Sequence, residues 1–151
     1  MYKQLINNLN GAFTINNNFV VSKTTTLNEL KLHFINNPFF QNKYSTNCYY
    51  PSSQFEIDNN LFFKFNFCFE NEILKKIGFE IQNESIIRNE WGNNRDFETN
   101  WIAKQMNDTT GFDWENNPKC DQYILQYNWG IVGVFFDFKN GTYESFLNYK
   151  S

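Results

Sequence analysis

The chain is poor in the residues that most often mark a catalytic site. It has one histidine, three cysteines and three prolines among 151 residues. No Cys, Ser or Asp is placed to form a triad with His33, so we expect a partly exposed helix residue and not a catalytic base. The sequence also lacks a glycine-rich phosphate loop, a GxSxG motif and an HExxH motif. The commonest signatures of phosphate binding, serine hydrolysis and zinc proteolysis are therefore missing.

The cysteines are few and form no recognisable pattern. Cys48, Cys68 and Cys120 are widely spaced and odd in number, without CxxC spacing or a paired histidine. This pattern favours neither a disulfide framework nor a metal site, so we expect buried, inert thiols in a reducing cytoplasm. The N-terminus does not resemble a signal peptide, and no stretch approaches the ~20 apolar residues of a membrane span. We expect no metal, no cofactor and no membrane partner.

Positive charge is also scarce, whereas aromatic residues are abundant. Thirteen Lys and Arg face sixteen Asp and Glu, giving a net charge of -3. This balance argues against nucleic acid as the main partner and permits a basic protein partner. Aromatic residues make up 20% of the chain and include 18 Phe, which excludes a disordered chain. The length suits one domain over residues 1–151.

Two helices are predicted, each with a recognisable start. Thr26 and Glu29 have capping-box spacing, which predicts a first helix over about residues 26–36. Asp96 is a good N-cap for a second helix over about residues 96–107.

Strands are predicted on both sides of the second helix. A hairpin is expected at residues 11–21, and residues 38–53 are interpreted as an irregular, aromatic-rich connection. Three strands follow before residue 82, the third with Ile73, Ile77 and Phe79 facing the core. The last strands are predicted at 122–128, 130–138 and 142–149. The predicted class is α+β: one twisted antiparallel sheet of about six to eight strands in two meanders, with both helices packed on it.

The stretch YNWGIVGVFFDFKNG at residues 127–141 raises the question of a site. Asn140-Gly141 is the strongest hairpin signal in the chain, and we prefer a two-residue loop, which sets Asp137 opposite Glu144. A three-residue loop would shift the pairing by one and mix polar residues into the core face. Asp137 is therefore predicted to be a charge at the hairpin tip and not a lone catalytic acid.

Carboxylate pairs are the remaining candidates for chemistry. Two carboxylates can serve glycosidase-like or metal chemistry. Each pair here lacks the supporting base, nucleophile or ligand cluster of a site, so we predict no catalytic, cofactor-binding or metal-binding residues. The pairs are Glu56/Asp58, Glu70/Glu72, Asp113/Glu115 and Asp137/Glu144.

Two polar loops, around residues 84–96 and 108–121, are the predicted binding surface. Trp114 lies between Asp113 and Glu115, and an aromatic flanked by acids suits a hot spot for a basic partner. The alternative is that Phe112 and Trp114 fold back onto the core, as large aromatics usually do. The candidate partner-binding residues are Glu84, Glu90, Asp96, Phe112, Asp113, Trp114, Glu115 and Asp121.

The C-terminal part carries a family resemblance. Trp129-Gly130 begins a predicted strand, residues 137–141 have the form Asp-x-Lys-x-Gly, and Tyr149 ends the last strand. This pattern resembles small bacterial immunity-type proteins of polymorphic toxin and contact-dependent inhibition systems, and the second half of the chain matches best. The resemblance implies a non-enzymatic protein that neutralises a cognate toxin by tight stoichiometric binding, without a cofactor. The alternatives are a small enzyme that uses a carboxylate pair, and an adaptor or subunit of another assembly.

Overall fold

The fold is carried by one large antiparallel sheet. The computed structural model describes residues 3–15, 19–43, 45–58, 61–82, 93–108, 122–137 and 141–150. Its elements in chain order are β1 (Phe13–Ile15), β2 (Phe19–Val21), α1 (Leu27–His33), β3 (Phe39–Asn42), β4 (Ser45–Pro51), β5 (Phe55–Asp58), β6 (Leu61–Glu70), β7 (Ile73–Gln82), α2 (Asn93–Met106), β8 (Gln122–Tyr127), β9 (Gly130–Asp137) and β10 (Thr142–Tyr149).

Eight of the strands form the main sheet in the order β3-β4-β6-β7-β10-β9-β8, and β5 also pairs with β6. The predicted first hairpin is confirmed, since β1 pairs with β2 in a separate two-stranded sheet. The α+β class, the antiparallel sheet and the two helices are likewise confirmed. Helices and hairpin all pack on one face of the main sheet, which we call the inner face, and the opposite face is the outer face.

The interpretation of residues 38–53 as irregular was wrong, because this segment forms β3 and β4. Phe39 packs inward against Phe67, with ring centroids 6.2 Å apart. Its neighbour Phe40 points outward and pairs with Tyr50 at 5.8 Å. Aromatic side chains therefore occupy both faces of the hairpin, and the sequence shows no alternation of apolar and polar residues by which to recognise strands.

The core on the inner face is built from aromatic rings. Phe13 of the first hairpin inserts between the sheet and α2. Its ring lies 5.3 to 6.3 Å from the rings of Phe63, Phe65, Phe79 and Trp101. Most of these contacts are edge-to-face, the arrangement that the aromatic quadrupole favours. The single hairpin residue thus ties three layers of the molecule together.

Both predicted helices are present, with one corrected start. The predicted capping role of Thr26 in α1 is confirmed, since the Glu29 N–H donates to Thr26 Oγ1 at 3.1 Å, and the Glu29 carboxylate accepts from the Thr26 hydroxyl at 3.2 Å. The prediction of Asp96 as the N-cap of the second helix was wrong, because α2 already begins at Asn93. Asp96 lies instead in the first turn, where a carboxylate is stabilised by the positive end of the helix dipole.

A bulge changes which residues of β7 face the core. The pairing of β6 with β7 shifts between Cys68 and Phe69, so that Phe69 faces Leu74. Leu74 is fully buried, whereas Ile73, predicted to face the core, is 60% exposed. The extra residue reverses the side-chain alternation at the start of β7.

The predicted register of the last hairpin was also wrong. Asp137 pairs with Thr142, and Glu144 lies opposite Phe135 and not opposite Asp137. Just before β10, Gly141 has φ +67°, and its N–H donates to the Asp137 carbonyl at 2.8 Å. A shift of two residues keeps every side chain on its predicted face and removes the like-charge opposition.

Two of the cysteines are bonded to each other, which corrects the prediction of buried, inert thiols. Cys48 of β4 lies directly opposite Cys68 of β6 and forms a disulfide with it. The sequence-based interpretation failed because it did not recognise β4 as a strand. Cys120 lies outside the described residues.

Candidate functional site

The predicted partner-binding residues fall almost entirely outside the described part of the chain. Asp96 is described: it is exposed in the first turn of α2, and its Oδ1 lies 3.2 Å from Arg95 Nε. The remaining candidates, which lie outside the described residues, are Glu84, Glu90, Phe112, Asp113, Trp114, Glu115 and Asp121. The choice of these residues as contacts therefore stays a prediction.

A buried carboxylate that the sequence analysis missed joins α2 to the inner face. Glu98 is fully buried and accepts a hydrogen bond of 2.7 Å from the Ile81 N–H. The Ser145 hydroxyl donates to its other oxygen. The spacing of Glu98, Trp101 and Gln105 places all three on one helical face, and this was the available signal. Glu98 thus links β7 and β10 to α2, and its role is structural.

Gln105 performs a similar task for the N-terminal segment, residues 3–8. Its side-chain oxygen accepts from the N–H groups of Leu5 and Ile6 at 2.7 and 3.0 Å. Its amide nitrogen donates to the carbonyl of Lys3 at 2.9 Å. A buried amide that satisfies three backbone groups fixes this segment against α2.

The Trp-Gly pair at the start of β9 connects the last hairpin to the N-terminal segment. The Trp129 indole N–H donates to the Asn8 carbonyl at 2.9 Å, and its ring covers Gly11 so closely that a β-carbon there would collide with it. The Tyr149 hydroxyl donates to the Gly11 carbonyl at 2.7 Å. These contacts give the motif a structural role, because they hold the N-terminal segment against the last hairpin.

Charged and aromatic side chains form a patch on the outer face, comprising Lys76, Glu80, Phe135, Glu144 and Phe146. The Lys76 ammonium lies 5.0 Å from the ring centre of Phe135 and 5.8 Å from that of Phe146. Such distances suit cation–π attraction. Glu80, on the same strand as Lys76, accepts a hydrogen bond of 2.7 Å from the Thr142 hydroxyl of β10. We call these five residues the outer-face patch.

Glu144 is the most perturbed acid of the outer-face patch. Its carboxyl group lies over Gly78, where a β-carbon would collide with Glu144 Oε1. Burial raises the pKa of Glu144 to about 7; Lys76 opposes this change, and the carboxylates of Glu80 and Asp137 add to it. Near neutral pH this carboxyl group is therefore partly protonated. A cation brought close to it would favour the charged form.

Strand directions bring the attachment points of the predicted loops to one end of the sheet. Because β7, β10, β9 and β8 are antiparallel in turn, Gln82, Thr142, Asp137 and Gln122 all lie at this end. We call it the Gln82 end. Since residue 83 follows Gln82 and residue 121 precedes Gln122, one attachment point of each predicted loop lies at this end. Glu80, Asp137 and Glu144 stand at the same end of the outer face.

Other candidates for a site among the described residues are three clefts, clusters of metal-ligating side chains and His33. Three clefts have volumes of about 580, 340 and 290 Å³, and Glu144 lines none of these three. Within the described ranges, no group of three or more His, Cys, Asp or Glu is arranged to hold a metal ion. His33 stacks on Phe19 with ring centroids 4.1 Å apart, and burial lowers its pKa.

Fold and site together define an α+β protein whose helices cover one face of an antiparallel sheet and whose outer face carries a mixed charged and aromatic patch. Its architecture is similar to that of a chain in the solved structure "Rhs1-CT in complex with cognate immunity protein RhsI1". The TM-score is 0.58 at 14% sequence identity, over 96% of this chain and 86% of that chain. At this identity the likeness shows a shared fold. No protein-family model and no curated protein matches the sequence.

Both helices are too short and too polar to cross a bilayer: among the described residues, no helix meets the length and hydropathy of a membrane span.

Proposed function

We propose that the protein is an immunity protein, which neutralises a cognate bacterial toxin by tight stoichiometric binding. The observation that carries the proposal is the structural likeness over 96% of the chain to a structure that contains a toxin and its cognate immunity protein. The C-terminal sequence pattern, with Trp129-Gly130 and Asp-x-Lys-x-Gly at 137–141, supports the same function. The proposal includes no catalytic role and no cofactor.

The binding surface that we propose is the Gln82 end of the sheet together with the two loops predicted from the sequence. Loop residues 84–96 and 108–121 carry seven of the chain's sixteen acids and three large aromatics. Glu80 and Asp137 add two carboxylates near the same end of the outer face. An acidic surface with aromatic anchors suits a basic toxin, since charge speeds association and buried aromatics supply affinity.

Charge reversal tests this location. The double substitution Asp113→Lys/Glu115→Lys should slow association with the toxin at least tenfold, and high salt should reduce the difference. Glu70→Lys/Glu72→Lys is the matched control, because Glu70 and Glu72 are exposed at the opposite end of the sheet, where β6 turns into β7. Equal association rates for both variants would contradict the proposed surface but leave the immunity function intact.

The function itself is tested with the toxin encoded beside this chain. Cells that express that toxin should survive only when the chain is co-expressed, and the purified proteins should form a 1:1 complex. Titration separates this function from the enzyme alternative. An immunity protein abolishes toxin activity at one equivalent, whereas an enzyme that inactivates the toxin acts at a small fraction of an equivalent. Absence of both protection and binding would refute the proposal.

The cytoplasm stays the proposed compartment, although the cysteines no longer support it. The prediction rested partly on three unpaired thiols, and two of them are bonded. Disulfides persist in oxidising compartments and are reduced in most cytosols. The redox state of this pair in the cell therefore tests the compartment.

A further inference from the structure

The disulfide holds a weakly attached part of the sheet. Cys48 and Cys68 face each other across β4 and β6 with their Cα atoms 4.0 Å apart. The ladder between these strands consists of the Cys48–Cys68 pair and the adjacent Tyr49–Phe67 pair. On its other side, β6 pairs with β7 from Phe62 to Glu70. The β3–β4 hairpin is therefore held to β6 by these two backbone pairs, and the disulfide joins the residues of one of them.

The sulfur atoms lie on the outer face. Phe67 and Phe69 flank Cys68 in β6 and point into the core, so Cys68 points the opposite way. Cys68 is half-buried, whereas Cys48 is buried. A dithiol reagent or an oxidoreductase thiolate can thus approach Cys68 from the solvent side.

We propose that Cys48 and Cys68 form a redox modification site that locks the β3–β4 hairpin onto the sheet. Formation of the bond removes two protons and two electrons from the two thiols. A disulfide, of a thiol–disulfide oxidoreductase or of oxidised glutathione, accepts them and becomes two thiols. The reverse exchange with a dithiol frees both cysteines. This proposal does not depend on toxin binding.

Reduction leaves the hairpin attached by side-chain packing and the short ladder. Phe39 still contacts Phe67, and Tyr49 still contacts Phe69 with ring centroids 6.3 Å apart. The bond closes a loop between residues separated by 20 positions. Loop closure of about this length changes an unfolding equilibrium constant by about a hundredfold, so the reduced hairpin should open much more often.

Thiol titration of the full chain tests the site. The protein is equilibrated in mixtures of reduced and oxidised glutathione, alkylated and analysed by peptide mass spectrometry. In oxidising mixtures two of the three thiols should disappear, and the cross-linked peptide should join Cys48 to Cys68. The Cys120→Ser variant should give the same cross-link. Three free thiols in every mixture, or a cross-link that contains Cys120, would overturn the proposal.

Hydrogen exchange tests the lock. Amides of β3 and β4 should exchange faster in the reduced protein, up to about a hundredfold, whereas those of β7 and β10 should change little. The Cys48→Ala/Cys68→Ala variant should resemble the reduced protein and be unaffected by oxidant. If that variant does not fold, the reduced natural chain supplies the same comparison. Identical exchange of β3 and β4 in both redox states would show that the bond is not a lock.

Discussion

Replacement of Glu144 by glutamine should change how the stability of the protein depends on pH. Burial raises the pKa of Glu144 from 4.5 to about 7 in the folded protein. The unfolded chain exposes the side chain to water, where it keeps the ordinary value of a glutamate. Between these values the folded state binds the proton more tightly than the unfolded state. The resulting contribution to stability is fully present below about pH 4.5 and is lost as the pH rises through about 7.

The pKa difference sets the size of the effect. A change from 4.5 to about 7 corresponds to about 3 kcal/mol in the free energy of unfolding, an upper value because Glu144 keeps some contact with solvent. Glutamine has a similar shape and carries no charge at any pH. Glu144→Gln should therefore match the natural protein at about pH 4.5 and exceed its stability by up to about 3 kcal/mol at about pH 8.

Urea denaturation followed by circular dichroism across this pH range measures the effect. Glu56→Gln removes a carboxyl group from an exposed position of β5 and controls for the loss of one acid. Its stability should follow the pH profile of the natural protein. The reasoning fails if Glu144→Gln also follows that profile, or if it is the less stable protein at about pH 8.

Four further substitutions test individual contacts by urea denaturation. Gln105→Ala should cost about 2–4 kcal/mol, because buried N–H groups of the N-terminal segment lose their acceptor; a loss below about 1 kcal/mol would contradict this role. Gly11→Ala should cost about 2–4 kcal/mol, because the new methyl group meets the Trp129 ring at φ +75°. Gly141→Ala, at φ +67° in open space, should cost only about 1 kcal/mol, and equal losses would dismiss the ring contact. Glu72→Gly should stabilise the protein by about 1 kcal/mol, because Glu72 has φ +68° in a tight turn, and destabilisation would show that its side chain makes a needed contact.

Sequence reasoning succeeded where a single periodic signal decided the structure. The alternation of phenylalanines in β6 and the capping box at Thr26 each specify a local element, and both were predicted correctly. It failed where two segments had to be aligned. The bulge that buries Leu74 and the loop that sets Thr142 opposite Asp137 depend on partner strands. Alternation specifies the face of each residue but not its exact partner.

The candidate site was predictable to a smaller extent. Asp137 and Glu144 were singled out as a pair, but they do not lie opposite each other, and Asp137 acts on Glu144 as a nearby charge that adds to the rise in its pKa. Glu98 was missed because a carboxylate is rarely expected in a core. The disulfide was missed because cysteine spacing gives no information about strand register, and β4 lacked the alternation that would have shown it as a strand.

The two faces of the sheet make different demands on their polar groups. On the inner face, Glu98 and Gln105 satisfy backbone groups that burial would otherwise leave without partners. Replacing either residue should destabilise the fold without altering a binding surface directly. On the outer face, Glu80, Asp137 and Glu144 lie at the Gln82 end, where one attachment point of each predicted loop also lies. Glu80 there faces Lys64 and accepts a hydrogen bond from Thr142, so the sheet itself accounts for part of this charge. The loop acids would therefore supply most of the attraction for the basic toxin that we propose. Charge reversal at this end separates binding from folding, because its variants should retain stability while losing the fast, salt-dependent association.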